Sequence, residues 1–344
     1  MKRRFLIPLT ILIVLIVIFL AGILWFRENT KPVSSEEKKV AFIIPRGRSA
    51  SQVGESLYEK GLIRSPLAFK FYVQLTGSSD KIQAGEFLLS PNLSLVEIVE
   101  RFSQGPLELW VTIPEGLRRE EVVERFVKGL EMDGEYATSF RSQFFTQSDG
   151  LEGKLFPDTY LFPRDASPSA VIAKMDANFE NKIASISNKE ILDEGYSVNQ
   201  VVVMASILER ETKTADERPV VAGILWKRLA STGWLLQADA TLQYAIGTTN
   251  CKSPSTMLRT IDTSCNWWPI LTKENLEINS PYNSYKFKAL PPTPIANPGL
   301  SSLKAAFSPV DSSYWFYIHD AEGIIHYAET LSEHNENVRI YLGK

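Results

Sequence analysis

The sequence predicts an α+β fold, with a single N-terminal transmembrane helix ahead of the folded part. Three observations lead to this prediction: an apolar run over residues 5–26, short strand-like runs that alternate with turns and capped helices over 40–110, and strongly apolar helices mixed with Pro, Gly and Asn turns beyond residue 194. Such an irregular mixture is typical of α+β domains rather than of a doubly wound parallel sheet.

The apolar run is long enough to cross a bilayer, since at ~1.5 Å per residue it would span roughly 33 Å. Basic residues precede it at positions 2–4, whereas Arg27 and Glu28 follow it and cancel in charge. The positive-inside rule therefore predicts a cytoplasmic N-terminus, an exported remainder and a single-pass protein of the cytoplasmic (inner) membrane. The alternative is a cleaved signal peptide, whose apolar region would usually be shorter, ~7–15 residues.

A strand, a Pro-x-Gly turn and a short helix occur twice in the exported part. Ile-Pro-Arg-Gly at 44–47 precedes a helix that Ser49 can cap, and Ile-Pro-Glu-Gly at 113–116 stands in the same order. This order resembles the opening of LysM-type modules, which bind the N-acetyl sugars of peptidoglycan or chitin. Strand–turn–helix entries also occur in other α/β domains, so a purely structural role stays open.

These patterns predict five segments. The polar stretch 28–39 is interpreted as a linker that holds the folded part off the membrane. In order, the segments are 1–27, a cytoplasmic stub and transmembrane anchor; 28–39, the linker; 40–110, a LysM-like module; 111–193, a second small α/β module with a connecting region; and 194–344, a mixed α+β domain expected to carry the chemistry.

Charge and residue usage exclude several classes of function. The 344 residues carry a net charge of −3, and residues 29–344 carry −6, because residues 1–28 contribute +3. Without a large basic field, a nucleic-acid partner is not expected. The three histidines (His319, His326 and His334) and two cysteines show no metal-ligand spacing, and there is no Gly-rich phosphate loop and no Gly-x-Ser-x-Gly motif. Neither a metal nor a cofactor is expected, and acid chemistry by carboxylates remains.

The two cysteines, Cys251 and Cys265, lie close together on the exported side. Outside the cytoplasm a disulfide between them is plausible and would close a local loop. The alternative is a pair of reduced thiols.

A strongly apolar helix ends in charged residues at 209–213, and Glu209 is the candidate acid there. It shares a helix face with Val202, Ala205 and Ser206, where small residues would leave room for a ligand and apolar ones would desolvate the carboxyl. Glu211 points to a different side of the helix. The alternative is that Glu209 is an ordinary helix-end charge paired with the lysine four residues later, and spacing alone favours that alternative.

Seven motifs in a fixed order resemble the endolytic murein transglycosylase family (YceG-like, MltG-type). They are EGKLFPDTY at 152–160, ASILERET at 205–212, Glu217-Arg218, LQADAT at 236–241 with Tyr244 and Gly247, SPYNSY at 280–285, LPPTPIANPG at 290–299, and Glu-His-Asn at 333–335. The resemblance spans nearly the whole exported part.

The resemblance implies non-hydrolytic cleavage of the bond between N-acetylmuramic acid and N-acetylglucosamine, which leaves a 1,6-anhydro end. The family's essential glutamate falls on Glu209, which would act first as acid and then as base. Ordinary glycosidases instead use two carboxyl groups ~5–9.5 Å apart, and Asp239 is the best candidate for a second one. Two other classes stay open: a glycan-binding scaffold without catalysis, and a hydrolytic muramidase.

Further site residues follow from the same resemblance. The groove that holds sugar hydroxyls and acetamides is expected to include Gln237, Asp239, Thr241, Tyr282, Asn283 and Tyr285, although each could instead shape a loop. His334 and Asn335 are expected to be structural or to support the site. The implied partners are peptidoglycan glycan strands, the membrane through one helix, and peptidoglycan synthases with elongation or division proteins.

The chain departs from the family pattern in three places. Ala240 stands where a proline is commoner, and Thr293 stands where a glycine is commoner. Residues 248–271, which include both cysteines, form what resembles an enlarged loop.

Overall fold

The computed structural model describes residues 3–45, 47–251 and 265–343, with side chains from residue 12 onward. Two compact units make up the chain: unit 1 comprises Met1–Leu109 and Pro163–Asp165, and unit 2 comprises Trp110–Phe162 and Ala166–Lys344. Helices and two-stranded sheets alternate in the described residues, so the predicted mixture of α and β structure is confirmed.

Unit 1 holds the long apolar helix and a small α/β module. Its elements are α1 (Arg3–Asn29), β1 (Val40–Ile44), α2 (Ala50–Glu59), α3 (Pro66–Leu75), β2 (Gly85–Leu89) and α4 (Leu95–Gln104). Strands β1 and β2 pair antiparallel, with Phe42 opposite Phe87. They are neighbours in the sheet, although α2 and α3 lie between them in the sequence. The Leu12–Asn29 part of α1 has a mean hydropathy of 2.0 and no buried residue, which makes it a candidate membrane span.

Aromatic packing forms the core of unit 1. The Phe102 ring lies 5.9 Å from that of Phe42 and 4.8 Å from that of Phe87, and all three side chains are buried. Capping boxes begin α2 at Ser49 and α4 at Ser94, where the serine hydroxyl and the side chain three residues later satisfy free backbone N–H groups. These caps fix the residues at which both helices begin.

The polar stretch after α1, predicted as a spacer, is bound to unit 1. The N–H groups of Val33 and Ser34 both donate to the Pro91 carbonyl at 3.0 Å, and the N–H of Lys38 donates to the Ser90 hydroxyl at 3.1 Å. Residues 30–38 therefore follow the module surface instead of forming a free tether.

Unit 2 is mostly helical. Its elements are β3 (Glu108–Thr112), α5 (Arg119–Gly129), α6 (Gly134–Gln147), β4 (Thr159–Pro163), α7 (Pro168–Ser185), α8 (Glu190–Asp193), α9 (Val198–Glu211), α10 (Arg218–Ala230), α11 (Asp239–Cys251), α12 (Leu300–Phe307), β5 (Phe316–His319), β6 (Ile325–Ala328) and α13 (Leu331–Leu342). The first two residues of β3 and the last residue of β4 belong to unit 1. Strand β3 pairs with β4, and β5 pairs antiparallel with β6.

Helix α9 is the centre of the unit 2 core. Every residue from Val201 to Leu208 is buried, and Leu225 of α10 and Phe307 of α12 belong to the same apolar cluster. A helix that is apolar all around requires cover on all sides. Beyond this buried stretch, the C-terminal end of the helix carries the charged residues that can present polar groups to a ligand.

Candidate active site

Helix α9 ends in two carboxylates, Glu209 and Glu211. A capping box between Ser197 and Gln200 fixes where the helix begins. Its end is fixed by Thr212, whose hydroxyl donates to the carbonyl four residues earlier at 2.6 Å. With both ends fixed, the two glutamates project in different directions and enter different surroundings.

Glu209 is enclosed by hydrogen-bond donors. Its Oε1 accepts from Nη2 of Arg218 at 3.1 Å, and its Oε2 accepts from the Gly299 N–H at 2.9 Å and the Ser302 hydroxyl at 2.7 Å. The side chain is 6% exposed. Its cation is thus Arg218 rather than the lysine at 213, and the carboxylate joins the end of α9 to the start of α12.

The face beside Glu209 that the sequence predicted to leave room for a ligand is closed. Val202, Ala205 and Ser206 are at most 1% exposed, and the Ser206 hydroxyl accepts from the Ile295 N–H at 3.0 Å. At Ala205 and Ser206 that prediction was wrong, because the segment before α12 packs over these small residues, whereas Val202 lines a cavity near the start of α9.

Glu211 faces a cleft of about 400 Å³. Its Oε1 accepts from the Ala240 N–H at 3.1 Å, and its Oε2 accepts from the Tyr317 hydroxyl at 3.3 Å. The residue is partly exposed. The cleft is lined by Glu211, Arg228, Gln237, Asp239, Tyr285, Phe316, Tyr317, Ile318, Leu331 and His334.

Burial raises the pKa of the Glu211 carboxyl to about 7, and the negative charge of Asp239 adds to this rise. The Ala240 N–H, the Tyr317 hydroxyl and the Arg228 charge act in the opposite direction. A carboxyl with such a pKa is populated in both protonation states near neutral pH. It can therefore give up a proton and take one back, as general acid–base catalysis requires.

Three of the six residues predicted for the sugar groove line this cleft: Gln237, Asp239 and Tyr285. The Tyr285 hydroxyl donates to Oδ1 of Asp239 at 2.5 Å. Gln237 has a φ of 53°, in the left-handed region that a non-glycine residue seldom adopts. Its N–H donates to the Ser284 carbonyl at 3.1 Å, which holds this conformation beside the cleft.

The other three predicted groove residues lie outside the cleft lining. Thr241 and Asn283 are fully buried, and Thr241 donates to the Ala238 carbonyl at 2.8 Å. The Asn283 side chain donates to two carbonyls at 2.9 and 2.8 Å and accepts from the Tyr285 N–H. Tyr282 bonds to the Thr293 hydroxyl at 2.7 Å. In the structure, each of these side chains holds a loop together.

Two cleft residues were not identified as ligand contacts from the sequence. Arg228 donates to the Leu236 carbonyl at 2.8 Å and to the Trp315 carbonyl at 2.9 and 2.6 Å. Within the described ranges, its hydrogen-bond partners include no carboxylate. His334 has a buried Nδ1 without a hydrogen-bond partner in the described part of the chain. Both residues lie far from Glu211 in the sequence, so no local sequence pattern relates them to it.

A second cavity of about 420 Å³ lies near the start of α9. Its polar lining includes Arg119, Glu152, Gln200 and Tyr244. Burial raises the pKa of Glu152 to about 8, although its carboxylate accepts from the Arg119 N–H and the Asn297 amide. Glu152 holds three distant segments together, so we assign it a structural role.

Cys251 and Cys265 are bonded to one another, with 5.7 Å between their Cα atoms. Residues 252–264, most of the predicted enlarged loop, lie outside the described residues. Just beyond them, the Arg118 guanidinium lies 4.6 Å from the Trp267 ring centre, and the Arg210 guanidinium lies 3.9 Å from that of Trp268. The disulfide thus fixes one end of an aromatic segment that covers two arginines.

The groups that line the cleft are suited to binding a carbohydrate and to acid–base chemistry on it. A partly buried carboxyl stands beside an amide, a second carboxylate and aromatic rings, which are groups that bind sugar hydroxyls and protonate a glycosidic oxygen. In the described residues, no group of three His, Cys, Asp or Glu side chains is placed to hold a metal ion.

Comparison with known proteins gives the family. The model of the YceG-like family matches residues 42–340, and the chain belongs to this family. The resemblance predicted from the seven motifs is thereby confirmed.

Curated relatives share most of the chain. It is 28% identical to a Bacillus subtilis (strain 168) protein named endolytic murein transglycosylase, over 93% of this chain and 89% of that protein. It is 24% identical to a protein of the same name from Streptococcus pneumoniae (strain D39), over 92% of this chain but 61% of that longer protein. The crystal structure of a putative YceG-like protein from Listeria monocytogenes is similar with a TM-score of 0.53 and 29% identity, over 88% of this chain and 99% of that one.

Proposed function

We propose that this chain is an endolytic murein transglycosylase, which cleaves the bond between N-acetylmuramic acid and N-acetylglucosamine within glycan strands and leaves a 1,6-anhydro end. Family membership and the names of its relatives support the reaction class. The observation that carries the mechanism is the Glu211 carboxyl, which faces the cleft with a pKa of about 7.

Glu211 supplies one proton and recovers one proton in the proposed mechanism. The protonated carboxyl donates its proton to the glycosidic oxygen, and the bond from that oxygen to C1 of the muramic sugar breaks. The carboxylate then takes the proton from the C6 hydroxyl as its oxygen bonds to C1. No water is consumed, and Glu211 ends protonated as it began, so a single carboxyl is sufficient.

The geometry favours Glu211 over Glu209 for this role. Both oxygens of Glu209 are occupied by three donors, one of them the permanently charged Arg218. These donors leave neither oxygen free for a ligand, and Ala205 and Ser206 on the same helix face are fully buried. The assignment of Glu209 that the family motif suggested is therefore replaced in this proposal, and Glu209 is given a structural role.

The remaining cleft residues are proposed to bind and polarise the sugar. The Asp239 carboxylate, held by the Tyr285 hydroxyl, would stabilise the positive charge that develops at C1 as the bond breaks. Gln237 can pair with an acetamide through its own amide group. We propose that Thr241, Tyr282 and Asn283 support these residues from behind.

The proposed location of the chain is the cytoplasmic membrane, with α1 as a single-pass anchor, the N-terminus inside and both units outside. The basic residues at positions 2–4 support this orientation. We propose that the β1-α2-α3-β2 part of unit 1 is a LysM-like module that binds the glycan. We also propose peptidoglycan synthases and elongation or division proteins as partners, and termination of nascent strands as the outcome.

Mass analysis of the products tests the proposed reaction. The full-length chain in detergent is incubated with peptidoglycan, and the glycan ends are weighed. The proposal expects anhydro ends, lighter than hydrolysed ends by one water. Reducing ends would instead indicate a hydrolytic muramidase, and intact strands would indicate a glycan-binding scaffold; either result contradicts the proposal.

A further inference from the structure

We propose that α3 lies at the outer surface of the cytoplasmic membrane, in the interface between lipid and water. The side chains of Leu67, Phe71 and Leu75 are inserted among the lipids. The partner of this surface is thus the bilayer that holds α1. The inference rests on the membrane anchorage proposed above and concerns a separate surface of unit 1.

An apolar stripe runs along the exposed side of α3. Leu67 is 63% exposed, Phe71 54% and Leu75 70%. Residues four apart in a helix lie on one face, so the three form a continuous row about 12 Å long. The opposite face of α3 is also apolar, with Phe69 and Val73 fully buried in the core. A helix that is apolar on its exposed side as well indicates a second apolar environment.

The end of the anchor helix contacts this stripe directly. The Phe26 ring lies 5.7 Å from the Phe71 ring and 6.5 Å from the Tyr72 ring. Phe26 closes the apolar run of α1, at the depth where a spanning helix leaves the hydrocarbon. Because Phe71 and Tyr72 pack on this residue, the middle of the stripe lies at the level of the membrane surface.

The residues between α1 and the module are held against the module, so they do not act as a spacer that keeps α3 away from the membrane surface. Nε of Arg64, the residue before the N-cap of α3, donates to the Pro32 carbonyl at 2.9 Å, and its guanidinium lies 3.6 Å from the Glu28 carboxylate. The Leu95 N–H donates to the Thr30 carbonyl at 3.1 Å. These three contacts join the end of α1 and the residues just after it to the module.

Apolar contact, rather than charge, accounts for the attraction. The part of the chain after the anchor carries a net charge of −6, so anionic headgroups would repel it on balance. Lys70 is the charged residue beside the stripe, and its amine can reach the headgroups while the stem stays apolar. Helices of this kind lie in the plane of the interface and bury one side by roughly 5–10 Å.

A depth-dependent quenching experiment tests the proposal on the full-length chain. Leu75→Cys is labelled with the fluorophore NBD; the two native cysteines are bonded to one another, which leaves the new thiol as the labelling site. Leu75 is largely exposed, so the change should not disturb folding. The matched control is Glu100→Cys, at an exposed position on α4 of the same unit.

The labelled chains are reconstituted into phosphatidylcholine vesicles with a nitroxide near the top of the acyl chain. The expected result is a blue-shifted emission at Leu75 that loses most of its intensity to the nitroxide, with little loss at Glu100. Equal quenching at the two positions would overturn the proposal. A blue shift that the nitroxide does not quench would also overturn it, because a protein surface would then cover the stripe.

Failure of this inference is distinguishable from failure of the proposals on which it depends. Flotation of the chain with the vesicles reports on the anchor, and product mass reports on the reaction. A chain that floats and cleaves glycan, but whose Leu75 label stays in water, would contradict the α3 proposal alone.

Discussion

Glu209 and Glu211 are separated by one residue at the end of α9, and their carboxylates lie in different surroundings. Glu209 accepts hydrogen bonds from Arg218, Gly299 and Ser302, whereas Glu211 accepts from the Ala240 N–H and, at 3.3 Å, from the Tyr317 hydroxyl at the edge of the cleft. Two positions along a helix correspond to about 200° of rotation, so the two glutamates of the motif point to nearly opposite sides and need not share a site. One closes the packing of α12, and the other is available to a ligand.

The first prediction concerns pH. In the proposed mechanism the protonated form of Glu211 starts the reaction. Because the pKa of this carboxyl is about 7, kcat/KM should be level at acidic pH and fall as pH rises through about 7. Above the inflection the fall should approach about tenfold per pH unit. Cleavage rates of a defined glycan strand across pH check this. An inflection near the ordinary carboxyl range, about pH 4–5, would argue against Glu211 as the acid.

Asp239→Asn provides the matched variant for this pH profile. The negative charge of Asp239 contributes to the raised pKa of Glu211, so its removal should lower that pKa and move the inflection to lower pH. A lower rate with an unmoved inflection would show that Asp239 acts only on the sugar.

The second prediction concerns Tyr285. Its hydroxyl donates to the Asp239 carboxylate at 2.5 Å, and a hydrogen bond to a charged group contributes roughly 1.5–3 kcal/mol. Tyr285→Phe should therefore lower kcat/KM by about 10- to 100-fold while the fold is kept. Tyr341→Phe, on the exposed side of α13, is the control and should have no effect. A Tyr285 variant within twofold of the original rate would contradict the proposed role of this pair.

How much of this site the sequence could predict depends on the range of the contacts. Helix α9 was predictable because the stretch from Val201 to Leu208 is strongly apolar and charged residues follow it. The choice between its two glutamates was not, because it depends on Asp239, Tyr285 and Tyr317, which are remote in sequence. Periodicity identifies the face on which a residue lies but not what covers that face.

The same reasoning applies to the region after the anchor. The polar composition of residues 28–39 predicted a spacer, since nothing in it marks a contact. In the structure the contacts are made by backbone groups, such as the Pro32 carbonyl and the Val33 N–H, which carry no sequence signal. Local composition therefore described this segment less well than the helices and turns of unit 1.

The third prediction concerns the stability contributed by Glu209. Glu209→Gln would leave the buried guanidinium of Arg218 without its carboxylate, and breaking a buried pair in this way costs about 3–5 kcal/mol. Urea unfolding followed by circular dichroism should show this loss of unfolding free energy. Ser302→Ala removes one neutral donor to the same carboxylate and should cost about 1 kcal/mol. Equal stability of Glu209→Gln and the original chain would refute a structural role.

The fourth prediction concerns Gly153. A side chain at this position would meet Pro294 at 2.5 Å, and the backbone has a φ of +85°. Gly153→Ala should therefore lower the unfolding free energy by more than the roughly 1–2 kcal/mol of the left-handed conformation alone. Gly150→Ala isolates the conformational part, because Gly150 has a φ of +75° and open space around it. Equal unfolding temperatures of the two variants would contradict the close packing of Pro294 on Gly153.

The most direct test of the central claim compares two single substitutions, Glu211→Gln and Glu209→Gln. Both are assayed on peptidoglycan by mass analysis of anhydro ends, at a temperature where circular dichroism shows each to be folded. We predict that Glu211→Gln yields no anhydro ends, while folded Glu209→Gln still produces them. Anhydro ends from Glu211→Gln, together with none from a folded Glu209→Gln, would contradict the assignment and return the acid–base role to Glu209.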